Sequence, residues 1–73
     1  MIFTVSEKML DAMKRMTPNE LAVFIAILKR TKAMPDRPAT ITLASLREES
    51  GITDRRNVRR ALRRLEAAGH VAQ

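Results

Sequence analysis

The chain has 73 residues, 45% of them hydrophobic, and its two aromatic residues are Phe3 and Phe24. This length suits one small domain with a core near the lower limit for independent folding. The chain has no cysteine, which excludes disulfides, thiolate metal sites and redox thiols. No apolar run approaches the roughly 18 residues that a membrane span needs, and the N-terminus does not resemble a secretory signal. We therefore expect a cytoplasmic domain without a membrane partner.

The net charge is concentrated in one segment. Fourteen Lys and Arg minus eight Asp and Glu gives +6. Positions 55 to 64 hold six arginines and no acid, so the other 63 residues carry eight bases and eight acids and sum to zero. An excess of one sign on one element predicts a polyanionic partner.

In chain order, MIFTV is apolar and β-prone, and is either a strand or a disordered start. Ser6 is suited to cap a first helix from about Glu7 to Met16. Its apolar positions recur at helical spacing and are Met9, Leu10, Met13 and Met16. We expect this stripe to face the core, with a dimer surface as the alternative because methionines suit adaptable contacts.

TPNELAVFIAILKR predicts the central helix. Thr17 as N-cap, Pro18 at the first helical position and Glu20 three residues after the cap form a capping box. The helix should end near Arg30 or Lys32. Its expected core residues are Leu21, Val23, Phe24, Ile25, Ile27 and Leu28.

AMPDRPA contains two of the three prolines and predicts a connection. TIT at 40 to 42 predicts a short strand. LASLREES then predicts a helix with Thr42 as cap and with Leu43 and Leu46 facing inward. Gly51 is expected to end it in the left-handed conformation.

The last helix contains the arginines. Thr53 or Asp54 is expected to cap it, and Gly69 to stop it. Its apolar stripe has helical spacing and comprises Val58, Ala61, Leu62 and Leu65. The final HVAQ predicts a strand that pairs with Ile41.

At about 100° per residue, most of the polar residues of this helix lie opposite its apolar stripe. A short helix, a turn with glycine and a basic second helix form a helix-turn-helix, which places its second helix in the DNA major groove. We predict that four residues reach bases, namely Thr53, Arg56, Asn57 and Arg60. Four others are predicted to bind phosphates, namely Arg55, Arg59, Arg63 and Arg64.

The segment ITLASLREESGITDRRNVRRALRRLEAAGHV resembles a bacterial winged helix-turn-helix of the GntR and MarR type. The matching positions are Leu46, Gly51, Ile52, Val58, Leu62, Leu65 and Gly69. With TPNELAVFIAILKRT upstream, residues 6 to 71 are also similar to the N-terminal DNA-binding domains of bacteriophage replication protein O and related plasmid proteins. The resemblance implies a mainly α, four-helix, winged-helix-like domain that binds double-stranded DNA.

The chain departs from that pattern at two places. Arg47 occupies a position where the family usually has alanine, so either the helix crossing differs or Arg47 turns outward. Four residues follow Gly69, which leaves room for one strand but not for a two-stranded wing. We therefore expect a minimal or absent wing in a single domain, 1–73, that is the N-terminal part of a longer protein.

The predicted function is sequence-specific binding of double-stranded DNA, as a transcriptional regulator or as an origin- or repeat-binding protein of a plasmid or phage. A homodimer or cooperative binding on repeated sites is compatible with this function. The alternative is a protein-interaction module of a mobile element that docks an acidic partner. RNA is disfavoured because readers of single strands usually present aromatic residues. We expect no enzymatic activity, cofactor or metal, because one histidine and scattered carboxylates form no catalytic constellation.

Overall fold

The computed structural model describes residues 2–5, 9–32, 34 and 37–73. In chain order the elements are β1 (Ile2–Val5), α1 (Met9–Met13), α2 (Pro18–Thr31), β2 (Ala39–Thr40), α3 (Leu43–Ser50), α4 (Arg55–Ala67) and β3 (Val71–Ala72). Over these described ranges the protein is mainly α, with four helices and one small antiparallel sheet. The mainly α class predicted from the sequence is confirmed.

Helix α2 forms the centre of the domain and packs against α3, α4 and β1. Its predicted bounds are confirmed, with Thr17 as N-cap and Pro18 in the first turn. Only one of the two hydrogen bonds of the predicted capping box forms. The Thr17 hydroxyl accepts it from the Glu20 N–H, at 3.3 Å. The Glu20 carboxylate lies instead 3.7 Å from the Arg64 guanidinium of α4.

The buried face of α2 is rotated from the predicted one. It comprises Val23, Phe24, Ala26, Ile27 and Thr31. Ile25 is 39% exposed, so its assignment to the core is wrong. At about 100° per residue, Ile25 lies opposite the centre of this face, which is set by neighbours that the helix meets only in the tertiary structure.

The sheet has the strand order β2-β1-β3, so the N-terminal strand lies in the middle. Ile2 pairs with Thr40, and Val5 pairs with Val71. The predicted pairing of the C-terminal strand with Ile41 is therefore wrong, because β1 lies between the two. Within MIFTV, Ile2–Val5 form a strand, and its alternate residues Phe3 and Val5 are buried.

Helix α1 is shorter than predicted. It ends at Met13, and the N–H groups of Arg15 and Met16 donate to carbonyls three residues back, at 3.0 and 3.4 Å. The chain must leave the helix here because Thr17 caps α2 in an extended conformation. Of the predicted stripe, Met13 and Met16 pack against the core. The Ser6 cap, Glu7 and the side chains of Met9 and Leu10 lie outside the described part of the chain.

Helix α3 matches its prediction at both ends. Thr42 caps it through a reciprocal pair of hydrogen bonds with Ser45, of 3.1 and 3.3 Å. Gly51 ends it with φ of 76°, a left-handed conformation that glycine adopts at little cost. Leu46 is buried and Leu43 packs against the edge of the core. Only four residues, 51–54, then connect α3 to α4.

Candidate nucleic-acid interface

Helix α4 begins and ends on specific caps. Asp54, one of the two predicted caps, accepts a hydrogen bond from the Arg56 N–H at 2.8 Å. At the other end Gly69 has φ of 78°, and its N–H donates to the Glu66 carbonyl while the His70 N–H donates to the Leu65 carbonyl. This is a Schellman motif, which satisfies carbonyls at a helix end. His70 thus has a structural role through its backbone.

The two faces of α4 have opposite character. Its buried face is the predicted stripe of Val58, Ala61, Leu62 and Leu65. All six arginines are exposed, and so is Thr53. Seven of the eight predicted site residues are therefore exposed, while Asn57 is half-buried.

The arginines form two rows along the helix, each with a spacing of four residues. One row is Arg55, Arg59 and Arg63, called the flank row after Arg55 and Arg59, and the other is Arg56, Arg60 and Arg64, called the central row after Arg56 and Arg60. Each row is about 12 Å long, from eight residues at about 1.5 Å each. Neighbouring like charges at this spacing destabilise a helix by a few tenths of a kcal/mol per pair. The arginine rows therefore lower the stability of α4, and the rest of the fold offsets this cost.

Acidic side chains approach the central row at both of its ends. The Asp54 carboxylate lies 3.6 Å from Arg56 Nε, and the Glu20 carboxylate lies 3.7 Å from Arg64 Nη1. The Glu20 side chain is only 15% exposed, whereas the arginines remain 87% and 59% exposed. For the flank row no acid lies within ion-pair distance among the residues that the structure describes. Among the described residues, acids therefore lie beside Arg56 and Arg64 of the central row only.

The pKa of Asp54 reflects its position at the start of α4. The backbone N–H of Arg56 donates to the carboxylate and holds its pKa below the ordinary value. Burial opposes this effect and raises the pKa, while the positive charges of Arg56 and Arg60 lower it further. Asp54 is therefore a carboxylate at neutral pH.

A groove separates the central row from the start of α2. It is lined by Thr17, Pro18, Asn19, Glu20, Asn57, Arg60, Ala61 and Arg64. Asn57, which the sequence assigned to base contacts, faces this groove rather than the middle of the arginine surface. No local pattern in the sequence predicts that the start of α2 lies here, because only tertiary packing brings residues 17 and 60 together.

Arg47 is a second feature that sequence reasoning did not assign to the site. It is half-buried, and its Nη2 donates to the Thr53 carbonyl at 2.9 Å. Its Nε is buried without a hydrogen-bond partner. Arg47 therefore lies against the turn between α3 and α4.

Two absences concern the residues that the structure describes. No helix there is long and apolar enough to cross a membrane. The same ranges contain no group of three or more His, Cys, Asp or Glu side chains that could hold a metal ion.

Comparisons with protein-family models, curated protein sequences and solved structures find no match to this chain.

Proposed function

We propose that this domain binds double-stranded DNA with sequence preference through α4, using α3, residues 51–54 and α4 as a helix-turn-helix. The observation that carries the proposal is the exposed surface of six arginines on α4. This surface contains the whole net charge of a chain that is otherwise neutral. Duplex DNA is a regular polyanion whose major groove accepts one α-helix.

The buried stripe supports the proposed use of the opposite face. Val58 and Leu65 are fully buried against the rest of the core, so the apolar side of α4 is unavailable to an external partner. This argues against the helix lying on a membrane, because such binding requires an exposed apolar face. A helix with an exposed charged face, whose apolar face is buried in the core, instead suits insertion into a polar groove.

The two rows suggest how the surface is used. The planar guanidinium of arginine can donate two hydrogen bonds to guanine O6 and N7. Arg56 and Arg60, at the exposed start and middle of the central row, suit base contacts, together with Thr53. The flank row suits phosphates, which require charge more than orientation. Biologically, the protein would act as a regulator or as an origin- or repeat-binding protein of a plasmid or phage.

The test is selection of binding sites from a random duplex library at about 150 mM salt, which weakens nonspecific charge attraction. A short enriched motif would support sequence-specific recognition, and its single, tandem or inverted form would reveal the assembly. If no sequence is enriched, the proposal of sequence preference fails. The arginine surface would then be a nonspecific clamp or a docking surface for an acidic protein.

A further inference from the structure

Arg47 has no role in the function proposed above, yet its side chain contains a buried polar group without a hydrogen-bond partner. A buried N–H without a partner costs stability, and such groups are uncommon in folded proteins. Nε of Arg47 is one, although Nη2 of the same guanidinium is hydrogen-bonded. The free-energy cost of the unpaired Nε must therefore be offset by the other contacts of Arg47.

The contacts of Arg47 converge on the turn before α4. Its carbonyl accepts hydrogen bonds from the Gly51 N–H at 3.1 Å and from the Ser50 hydroxyl at 3.4 Å. Its side chain passes over the turn and binds the Thr53 carbonyl at 2.9 Å. One residue of α3 thus holds both the end of its own helix and the residue before the Asp54 cap.

From this geometry we infer that Arg47 is a positioning residue, which fixes the start of α4 so that Thr53 and Arg56 meet the DNA bases in register. This inference rests on the proposed function. The backbone of Thr53 is tied on one side by Arg47, and the Asp54 cap fixes the first helical turn on the other. A loose turn would let α4 enter the groove at several angles, and base contacts would suffer more than phosphate contacts because they require closer geometry.

The test compares Arg47→Met with the wild type. Methionine retains much of the apolar stem and removes the guanidinium, including its unpaired Nε. We expect the melting temperature to be unchanged or raised. The ratio of specific to nonspecific DNA affinity should nevertheless fall about tenfold, the value of roughly one base contact. Arg47→Lys, which retains a positively charged donor group at the end of the side chain, should recover part of the ratio.

Lys29→Met is the matched control, because it removes one exposed positive charge from the last turn of α2. It should lower specific and nonspecific affinity equally and leave their ratio unchanged. A merely structural role for Arg47 would appear as a lower melting temperature in Arg47→Met. A direct phosphate contact would appear as an equal loss of specific and nonspecific affinity. Either result would overturn the inference.

A second measurement does not depend on DNA. The N–H groups of Asn57 and Val58 both donate to the Asp54 carbonyl, at 3.1 and 3.3 Å, and close the first turn of α4. Their hydrogen exchange should accelerate in Arg47→Met while exchange in α2 is unchanged. If the wild type binds no DNA but this change occurs, the proposed function fails while the placement of α4 by Arg47 stands. Unchanged exchange would refute the placement even if the wild type binds DNA.

Discussion

Asp54 joins the turn to the arginine surface, and its charge gives a prediction about pH. Its folded-state pKa is held below the unfolded value, which is about 3.9 for Asp. The carboxylate therefore contributes stability in full above that value. The contribution is lost as the pH falls through the lower folded-state pKa, because the protonated acid no longer attracts the Arg56 N–H and guanidinium.

Thermal unfolding of the wild type and Asp54→Asn between pH 7 and pH 2 tests this prediction. Asparagine is also a good N-cap, so the variant removes the charge and retains the acceptor. We expect the wild type to melt at the higher temperature at pH 7, and the difference to shrink toward zero below pH 4. A difference that is constant with pH would show that the charge of Asp54 does not stabilise α4.

Substitutions at two single arginines test whether the central row contacts bases and the flank row contacts phosphates. Arg60 lies in the central row and Arg63 in the flank row, and both are exposed. Arg60→Ala should relax base preference at one position, by about 1–3 kcal/mol of discrimination. Arg63→Ala should weaken specific and random duplexes about equally, because a phosphate contact carries no sequence information. Equal losses for both variants on both duplexes would refute the division.

The turn between α3 and α4 depends on Gly51, whose backbone is left-handed. A methyl group added there would meet no atom within 4 Å, so the penalty of Gly51→Ala is that of the left-handed backbone alone. This penalty is about 1 kcal/mol, which lowers the melting temperature of a domain of this size by roughly 4–8 °C.

Gly69→Ala is the matched control for that prediction. Gly69 has nearly the same φ and equally open surroundings, but it follows α4 instead of preceding it. We expect both variants to lose similar stability in thermal unfolding, and only Gly51→Ala to lose DNA discrimination as well. Equal DNA discrimination in the two variants would indicate that the turn before α4 does not set its angle.

The elements that could be predicted are those coded by local chemistry. Thr17, Pro18 and Thr42 set helix starts, Gly51 and Gly69 follow helix ends, and each acts over a few residues of chain. The buried and exposed faces of α4 followed from the spacing of its apolar residues, because charge and hydrophobicity segregate strongly on this helix.

What could not be predicted depends on contacts between distant parts of the chain. The two-residue strands β2 and β3 are too short to show a period, so nothing in their sequences places β1 between them. The rotation of α2 that exposes Ile25 depends on where α3 and α4 pack. The approach of Glu20 to Arg64 joins residues 44 positions apart, whereas the local sequence predicts Glu20 in its own helix cap.

At the scale of the whole molecule, DNA affinity should follow the number of arginines available to phosphates. If all six of them neutralise phosphates, the slope of log K against log salt is about −5. The acids beside Arg56 and Arg64 compete with DNA for two of these arginines. On random duplex DNA, where Arg60 makes no specific base contact and can meet a phosphate, the remaining four give a slope of about −4, at roughly −0.9 per contact. We therefore expect the wild type to show the shallower slope on random duplex DNA.

Glu20→Gln tests whether the ion pair with Arg64 limits the number of arginines that are available to phosphates. Glutamine has nearly the same shape as glutamate but does not hold the guanidinium by charge, so Arg64 becomes available and the slope should steepen by about 0.9. Asp11→Asn also removes one negative charge, from an exposed position on α1, and should leave the slope unchanged. A wild-type slope already near −5 that Glu20→Gln does not change would mean that DNA displaces Glu20 on binding. A slope shallower than about −2 would mean that α4 is not the main contact with DNA, because two or fewer of its arginines would then meet phosphates.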